Sequence, residues 1–487
     1  MRNTHVATHG RKIAALHQAG EGDVGFDAFQ HLFHTEYVIG DLRCLRLNDR
    51  LVNKNHKPET MGKRMQKRIA VIGAGTAGLH LGLHLRQFGI DVTIFSDRRP
   101  DQFQGLRLLN TVAHHHVTVE REDDLGCNHW PLDEYGYSGH YYFVGGPQPL
   151  RFYGALERRS RAVDYRIYQP RLMEDFLARG GLIEFREITH EDIPELVRGF
   201  GLIVVCTGKG PFGQMFKPEP AYSPFERPQR ALCVGLFKGI REPATRAVVM
   251  NFSPGAGEMI EIPTYSFGGM ATALVIENHV GGDLEVLAKA SYAESPRAFL
   301  DLLLQKLRQH YPDCADRIDE REFDLANGPL DILQGGVTPT VRKSHVALDG
   351  GKLAVALGDV QAVVDPVLGQ GANMASYAAI ILAEEIVGQD VYDERFMERV
   401  EGRRRDRVLS ATRWTNYILN ALGSLDPDLL NYIGALSQRP DLADEFTENF
   451  NFPERQWDCF ASPDRIRAWI ETRLAAPPAA DVLAKAG

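Results

Sequence analysis

Three observations predict an α/β fold: a parallel sheet carrying a nucleotide-binding unit, an antiparallel sheet inserted into it, and a helical C-terminal region. The stretch 68–97 reads strand, glycine turn, helix, strand. Between residues 225 and 340, β-branched and aromatic runs recur at strand spacing. After residue 391 the apolar residues fall at helical intervals within a charge-rich background.

The first stretch carries the most information. Ile69, Val71 and Ile72 make a short apolar run of the kind a doubly covered parallel strand needs. Gly73, Ala74, Gly75, Thr76, Ala77 and Gly78 then match G-x-G-x-x-G. In such a Rossmann-like turn, Gly73 serves the tight bend, Gly75 lets a pyrophosphate approach the backbone, and Gly78 lets the helix press on the strand. The helix ends at Gly89, and a second strand leads to Ser96 and Asp97, about 20 residues beyond the motif, where a ribose partner is expected.

The chain continues through an apolar loop with polar interruptions at Arg107, Asn110 and His114, candidate contacts to a bound nucleotide. His115 and His116 are expected to face solvent. The aromatic, glycine-rich segment 135–149 reads as strands of a second domain, with Tyr137 and His140 as pocket candidates and Ser160 a weaker one. A helix is expected over 160–179, then short strands at 182–186 and 202–205, the latter entering Cys206-Thr207-Gly208. Strands are expected at 231–237, 247–252 and 271–277, with a helix over 297–310.

A second constellation follows the strand 353–357. Gly358-Asp359 places an acid at its end, and Pro366 precedes the glycine-opened helix carrying Gly369, Gly371 and Asn373. Backbone N–H groups at such a helix start stabilise an anion or polarised carbonyl. The segment 449–457 reads as an aromatic structural lock and 475–480 as a frayed tail.

The expected domain ranges are 1–64 as a poorly ordered extension; 65–135, 160–215 and 345–390 as a discontinuous nucleotide-binding domain; 136–159 and 216–344 as the substrate-binding sheet domain; and 391–487 as the helical region. The extension is rich in histidine without a ligand spacing, and Met61 or Met65 is a possible translation start.

Composition narrows the class. A formal net charge of −9 gives no reason to expect nucleic acid. The six cysteines are scattered, as in a cytoplasmic protein with reduced thiols, and suggest neither a disulfide frame nor a metal site. No apolar run approaches the roughly 18 residues of a membrane span.

The pairing of the two constellations is the pattern of two-domain flavin monooxygenases, of the glutathione-reductase type and aromatic-hydroxylase-like. The segments GAGTAGLHLGLHLRQ, GLRLLNTVAH, GHYYFVGGPQPLRFYG, VVCTGKG, FDLANGPLDILQGG, VDPVLGQGANMASYAA and FNFPERQWD resemble the oxygenase component of FAD-dependent styrene monooxygenases and their indole-oxidising relatives. The resemblance runs from about Met65 to about residue 472. It implies that reduced FAD reacts with O2 to a C4a-hydroperoxide, which epoxidises the vinyl group of styrene or oxidises indole. It implies Asn110, Val367 and Leu368 beside the reacting edge. Gly73, Gly75, Thr76, Ala77, Gly78, Asp97, Arg107, Asp359, Pro366, Gly369, Gly371 and Asn373 would bind the cofactor, with Tyr137, His140 and Ser160 in the substrate pocket. A homodimer is expected.

Single-component relatives carry an Asp-Gly pair where this chain has Thr207-Gly208, and no second complete dinucleotide fingerprint occurs. NAD(P)H is therefore not expected to bind, and a separate NADH-dependent flavin reductase is expected to supply reduced FAD. Alternatives are an indole-preferring enzyme, an alkene reductase or a non-catalytic flavin-binding protein. A halogenase lacks support, because its W-x-W-x-I-P signature is missing and Trp130, Trp414, Trp457 and Trp469 stand apart.

Overall fold

The computed structural model describes residues 67–478. The expected extension at 1–64, its histidines, the two methionine starts and the last residues of the tail lie outside the described residues.

The parallel sheet has six strands in the order His345–Ala347, Leu353–Ala356, Leu202–Val205, Arg68–Ile72, Asp91–Ser96 and Leu182–Phe185. Every neighbouring pair is parallel except the edge pair formed by His345–Ala347. Ile69, Val71, Val204 and Val355 are fully buried, as apolar strands covered on both faces must be. The helix Thr76–Gln87 lies against this sheet and against the later helix Gln370–Gly388, so the two sequence constellations are neighbours in space.

The second sheet has nine strands and forms the other layer. Its centre is the antiparallel succession Val248–Ser253, Gly257–Ser266, Gly269–His279 and Arg230–Lys238. It is mixed rather than purely antiparallel: Gly136–Val144 pairs parallel with Val248–Ser253, and Leu150–Val163 pairs parallel with Gly257–Ser266.

Two boundaries differ from the sequence expectation. Residues 160–163 are not helical but end the strand Leu150–Val163, and the helix runs over Tyr165–Ala178. The switch occurs at Asp164, whose carboxylate accepts from the Arg166 N–H at 2.9 Å and pairs with its guanidinium; that guanidinium also reaches Asp331 at 2.6 Å. Ala113–His114, numbered within the expected nucleotide-binding range, pairs with Ala162 and Arg161 in the second sheet.

Five helices close the described residues: Glu394–Ser424, Pro427–Gln438, Pro440–Glu448, Pro453–Phe460 and Pro463–Ala475. Four begin with proline at the first helical position, where a missing N–H is harmless. Helix Pro440–Glu448 docks directly on Leu150–Val163 at Gly154, where a Cβ would collide with the Thr447 hydroxyl and the Ala443 carbonyl.

This contact predicts opposite outcomes for two glycines. Gly154→Ala should destabilise the fold by forcing that helix off the sheet. Gly402→Ala lies in a long helix with open space around it and should stabilise by about 1 kcal/mol. Thermal unfolding of the two variants reads both signs, and a stabilised Gly154→Ala would refute the close docking.

Candidate active site

The glycine turn opens onto a cleft of about 610 Å³. Gly73, Gly75, Thr76 and Ala77 form its floor, and Asp97 stands at its outer end. The three glycines have different physical duties. At Gly73, with φ of +111°, a Cβ would sit 2.6 Å from the Cys206 carbonyl oxygen. At Gly78, which lies beneath the turn, it would strike the Gly73 carbonyl and come within 3.2 Å of Val71. At Gly75 the nearest atom is Gln169 Nε2 at 3.9 Å, so that position is open towards the cleft. The protein's own packing requires glycine at the first two positions; at Gly75 the requirement comes from whatever fills the cleft.

Asp359, Pro366, Gly369 and Gly371 line the same cleft from the other side. Helices Thr76–Gln87 and Gln370–Gly388 both begin there with a glycine and no side-chain cap. Their first N–H groups are left for an anion or a polarised carbonyl. Asp359 keeps a partly exposed surface, yet the surrounding protein raises its carboxyl above the usual range, with Lys209 opposing the rise. Thr207 also faces the cleft, and its buried hydroxyl has no partner among the described residues. A long opening with two uncapped helix starts, an open glycine and acids at separate points fits an extended dinucleotide such as FAD.

Two expected cofactor contacts are placed otherwise. Arg107 is exposed and does not line the cleft; strand-like alternation turns its neighbour Leu108 inward instead. Asn373 is buried and fully committed to the protein. Its Oδ1 accepts from the His115 N–H at 2.9 Å and the Thr118 hydroxyl at 2.8 Å, and its Nδ2 donates to the Ala113 and Gly369 carbonyls at 2.8 and 2.9 Å. With two donors and one twice-accepting oxygen in use, nothing remains for a ligand. Asn373 ties the loop 113–118 to the start of helix Gln370–Gly388.

A second cavity of about 120 Å³ adjoins the cleft. Its boundary with the cleft is shared by Asn110, Thr111, Val112, Val275, Pro366 and Gly369. Val248, Met250, Ile260, Ile262, Val367, Leu368 and Phe450 supply an apolar lining, and Tyr137, His140 and His115 add polar edges. Cavities of about 150 Å³ with such linings stay dry and accept benzene. Asn110 therefore stands at the junction; its Oδ1 accepts weakly from the Val112 N–H at 3.3 Å. Ser160 is buried behind the cavity, where its hydroxyl accepts from the His116 N–H at 3.1 Å, and is not part of the lining.

Sequence reasoning missed His115, Phe450 and the strand residues. Val248 and Met250, like Ile260 and Ile262, alternate on one strand face, a signal present in the sequence without indicating what they face. His115 and His116 are buried rather than solvent-facing: His116 Nε2 meets Glu448 at 2.7 Å, and His115 packs edge-on against Phe450. The aromatic lock at 449–457 thus also walls the cavity.

Beneath the glycine turn runs a buried polar chain. The Thr76 hydroxyl bonds that of Tyr165 at 2.9 Å, which bonds His114 Nε2 at 2.7 Å, and His114 Nδ1 meets Glu122 at 2.6 Å. Tyr168 donates to Glu122 at 2.8 Å and touches His80 Nε2 at 2.7 Å; His80 Nδ1 reaches Ser376 at 3.0 Å. Burial alone would raise the Glu122 carboxyl, but Arg161 and His114 outweigh it and hold the group at about 2. Burial lowers His80 and His140 to about 3 each, and burial with help from neighbouring His140 holds His115 well below its ordinary value. The Tyr137 hydroxyl lies beside Ser160, and among the described residues His140 Nε2 and both His115 ring nitrogens are without a partner.

The buried neutral histidines make the fold acid-sensitive. In the unfolded chain each takes up a proton below about pH 6.5, which the folded state refuses, so their stabilising contribution is present above that pH and falls as pH drops. Between pH 7 and 5, His80 and His140 should each cost roughly 2 kcal/mol. His140→Leu should shrink the loss of thermal stability over that interval; an unchanged loss would show that His140 is protonated in the fold.

The comparisons with known proteins agree with this geometry. The domain assigned to substrate binding in styrene monooxygenase A matches residues 208–317. Styrene monooxygenase StyA of Pseudomonas fluorescens is 63% identical over 405 residues, covering 83% of this chain and 98% of that protein. A second StyA, from Pseudomonas sp, is 62% identical with the same coverage. Among solved structures, the flavin-dependent brominase Bmp2 aligns with a TM-score of 0.59 at 16% identity, over 84% of this chain and 98% of its own. A flavoprotein/dehydrogenase from Cytophaga hutchinsonii aligns with a TM-score of 0.58 at 16% identity and the same two coverages. These two likenesses concern the fold alone. The sequence identity over nearly the whole of both StyA proteins shows that the chain belongs to the styrene monooxygenase family.

Proposed function

We propose that this protein is the oxygenase component of a two-component flavin monooxygenase that converts styrene and O2 to styrene epoxide. The observation that carries the reading is the apolar 120 Å³ cavity joined to the nucleotide cleft across Asn110, Val112, Pro366 and Gly369. Reduced FAD, when bound, supplies the electrons that activate O2.

The chain's own contribution is placement and exclusion of water. The N–H groups at 73–77 and Thr76 would hold the pyrophosphate, Asp97 a ribose, and Asp359 a polyol hydroxyl. Pro366, Gly369 and Gly371 would flank the ring system, with Asn110 offering an amide at its reacting edge. Val367 and Leu368, both nearly fully buried, would press the substrate's vinyl group towards that edge. An apolar lining suits styrene and keeps water from the activated oxygen. The reaction asks for no protein nucleophile, consistent with a site lined by aliphatic groups and neutral imidazoles. Arg107, Asn373 and Ser160 take supporting places outside this set.

Indole is a second substrate in this reading. His140 Nε2 and the His115 ring nitrogens at the cavity have no partner among the described residues and offer an N–H-bearing ring a partner that styrene cannot use. A separate NADH-dependent reductase belongs to the scheme, since Thr207 stands where an acid would serve nicotinamide. The same reading places a homodimer in the cytoplasm. Cys127, Cys206, Cys233 and Cys314 are free, buried thiols, and no helix among the described residues is long and apolar enough to cross a membrane.

With an added flavin reductase, NADH and oxygen, chiral gas chromatography should find styrene epoxide; reduction of the vinyl group without oxygen uptake would overturn the assignment. Anaerobic mixing of protein, FAD and NADH without reductase should leave the flavin oxidised, and prompt bleaching would refute the two-component scheme. Asn110→Ala should lower epoxidation at least tenfold or divert oxygen to peroxide; unchanged values of both would remove Asn110 from the reacting edge.

A further inference from the structure

Behind the turn Pro366–Leu368 lies a group of ionisable side chains that the proposed reaction does not use. Glu277, in the strand Gly269–His279, is fully buried, and among the described residues neither of its carboxyl oxygens has a partner. Asp365 is 1% exposed; its Oδ1 accepts from the Val367 N–H at 3.2 Å, while its Oδ2 has no partner among the described residues. The two carboxyls are neighbours, each near enough to act on the other's charge. As two carboxylates both are acceptors only, so neither can satisfy the other.

The surroundings do not resolve the conflict with a cation. Arg230 faces the pair from the neighbouring strand, but its guanidinium is held by Glu258 at 2.7 and 2.9 Å and by the Leu419 carbonyl at 3.2 Å. His279 Nε2 also turns to Glu258, at 3.3 Å. The buried Tyr311 hydroxyl, close to Glu258 and Glu277, bonds to neither. One guanidinium thus stands against three buried carboxyls, and a proton is the missing positive charge.

We infer that Glu277 and Asp365 share a single retained proton, and that this proton fixes the shape of the turn at 365–369 on which the cofactor rests. Glu277 acts through Asp365 and is a positioning residue. Asp365 lines the cleft, caps the turn through Val367 and precedes Pro366, while Val367 and Leu368 reach the apolar cavity. Removing the proton leaves two adjacent buried anions, which can separate only by moving the turn. Burial raises both carboxyls; neighbouring Asp365 lifts Glu277 still more, well above its ordinary range, whereas a proton offered by Glu277 opposes the rise at Asp365. The fold therefore keeps a proton that the unfolded chain releases above about pH 4.5, and the pair's contribution to stability is lost as pH rises through the folded value.

Two measurements test this. Infrared difference spectra of the flavin-free wild type at neutral pH should show the carbonyl stretch of a buried protonated carboxylic acid, lost in Glu277→Gln and shifted in frequency in Asp365→Asn. Affinity for oxidised FAD, followed by fluorescence, should fall about tenfold per pH unit above the pair's titration. Glu277→Gln carries a permanent donor and should flatten that limb while keeping neutral-pH affinity. Absence of the band in the wild type, or an unaltered alkaline limb in Glu277→Gln, would overturn the inference. The effect on the cofactor rests on the proposed flavin site, whereas the infrared band does not. A protein that shows the band but binds no flavin at any pH would refute the proposed function and uphold the shared proton.

Discussion

Glu122 is a carboxylate in a place where water cannot reach, and the architecture around the cleft is arranged to make that tolerable. Ionised and fully buried, it needs a cation and hydrogen-bond donors at once. Arg161 from the strand Leu150–Val163, His114 from the strand Ala113–His114 and Tyr168 from the helix Tyr165–Ala178 supply them. Through Tyr165 and His80 the network reaches the first turn of helix Thr76–Gln87 and Ser376 of helix Gln370–Gly388. Breaking one member of a buried charged set costs about 3–5 kcal/mol, because the remaining charge is stranded. One acid thus ties the second sheet, both glycine-opened helices and the helix Tyr165–Ala178 into a single arrangement. The anion-accepting floor of the cleft inherits its rigidity from a charge beneath it.

The parts of this site that were legible in the sequence are those whose chemistry is local. Gly73, Gly75 and Gly78 declare themselves because the strand, the turn and the helix that use them are contiguous. Asp359 and Pro366 do so because a strand end and a helix start sit a few residues apart. The cavity had no such signature. Its walls come from five strands, the 110–112 loop, His115, the 366–369 turn and Phe450, far apart in the chain and brought together by the second sheet's pairing. Val248, Met250, Ile260 and Ile262 read as ordinary strand residues because their function is supplied by what stands opposite them.

The misreadings share a cause as well. Asn373, His115 and His116 are polar residues that reach partners 44, 258 and 332 positions away. Adjacent histidines suggested solvent, yet the start of helix His116–Asp124 is pressed between the helix Gln370–Gly388 and the C-terminal segment. Asn373 suggested a ligand contact, yet it satisfies backbone groups at a crowded junction. The helix expected from residue 160 failed for a different reason. An Asp-x-Arg pair at 164–166 binds Asp331 across the fold and sets the helix start where local periodicity did not place it.

The partition between cleft and cavity consists of Asn110, Thr111, Val112, Val275, Pro366 and Gly369, and these residues are common to both spaces. An occupant of one space therefore alters the boundary of the other. Whatever free energy the first ligand gains or loses through that partition is returned, equal in size, to the second. The two sites form one thermodynamic unit, in which a guest's residence time depends on whether the adjoining space is filled.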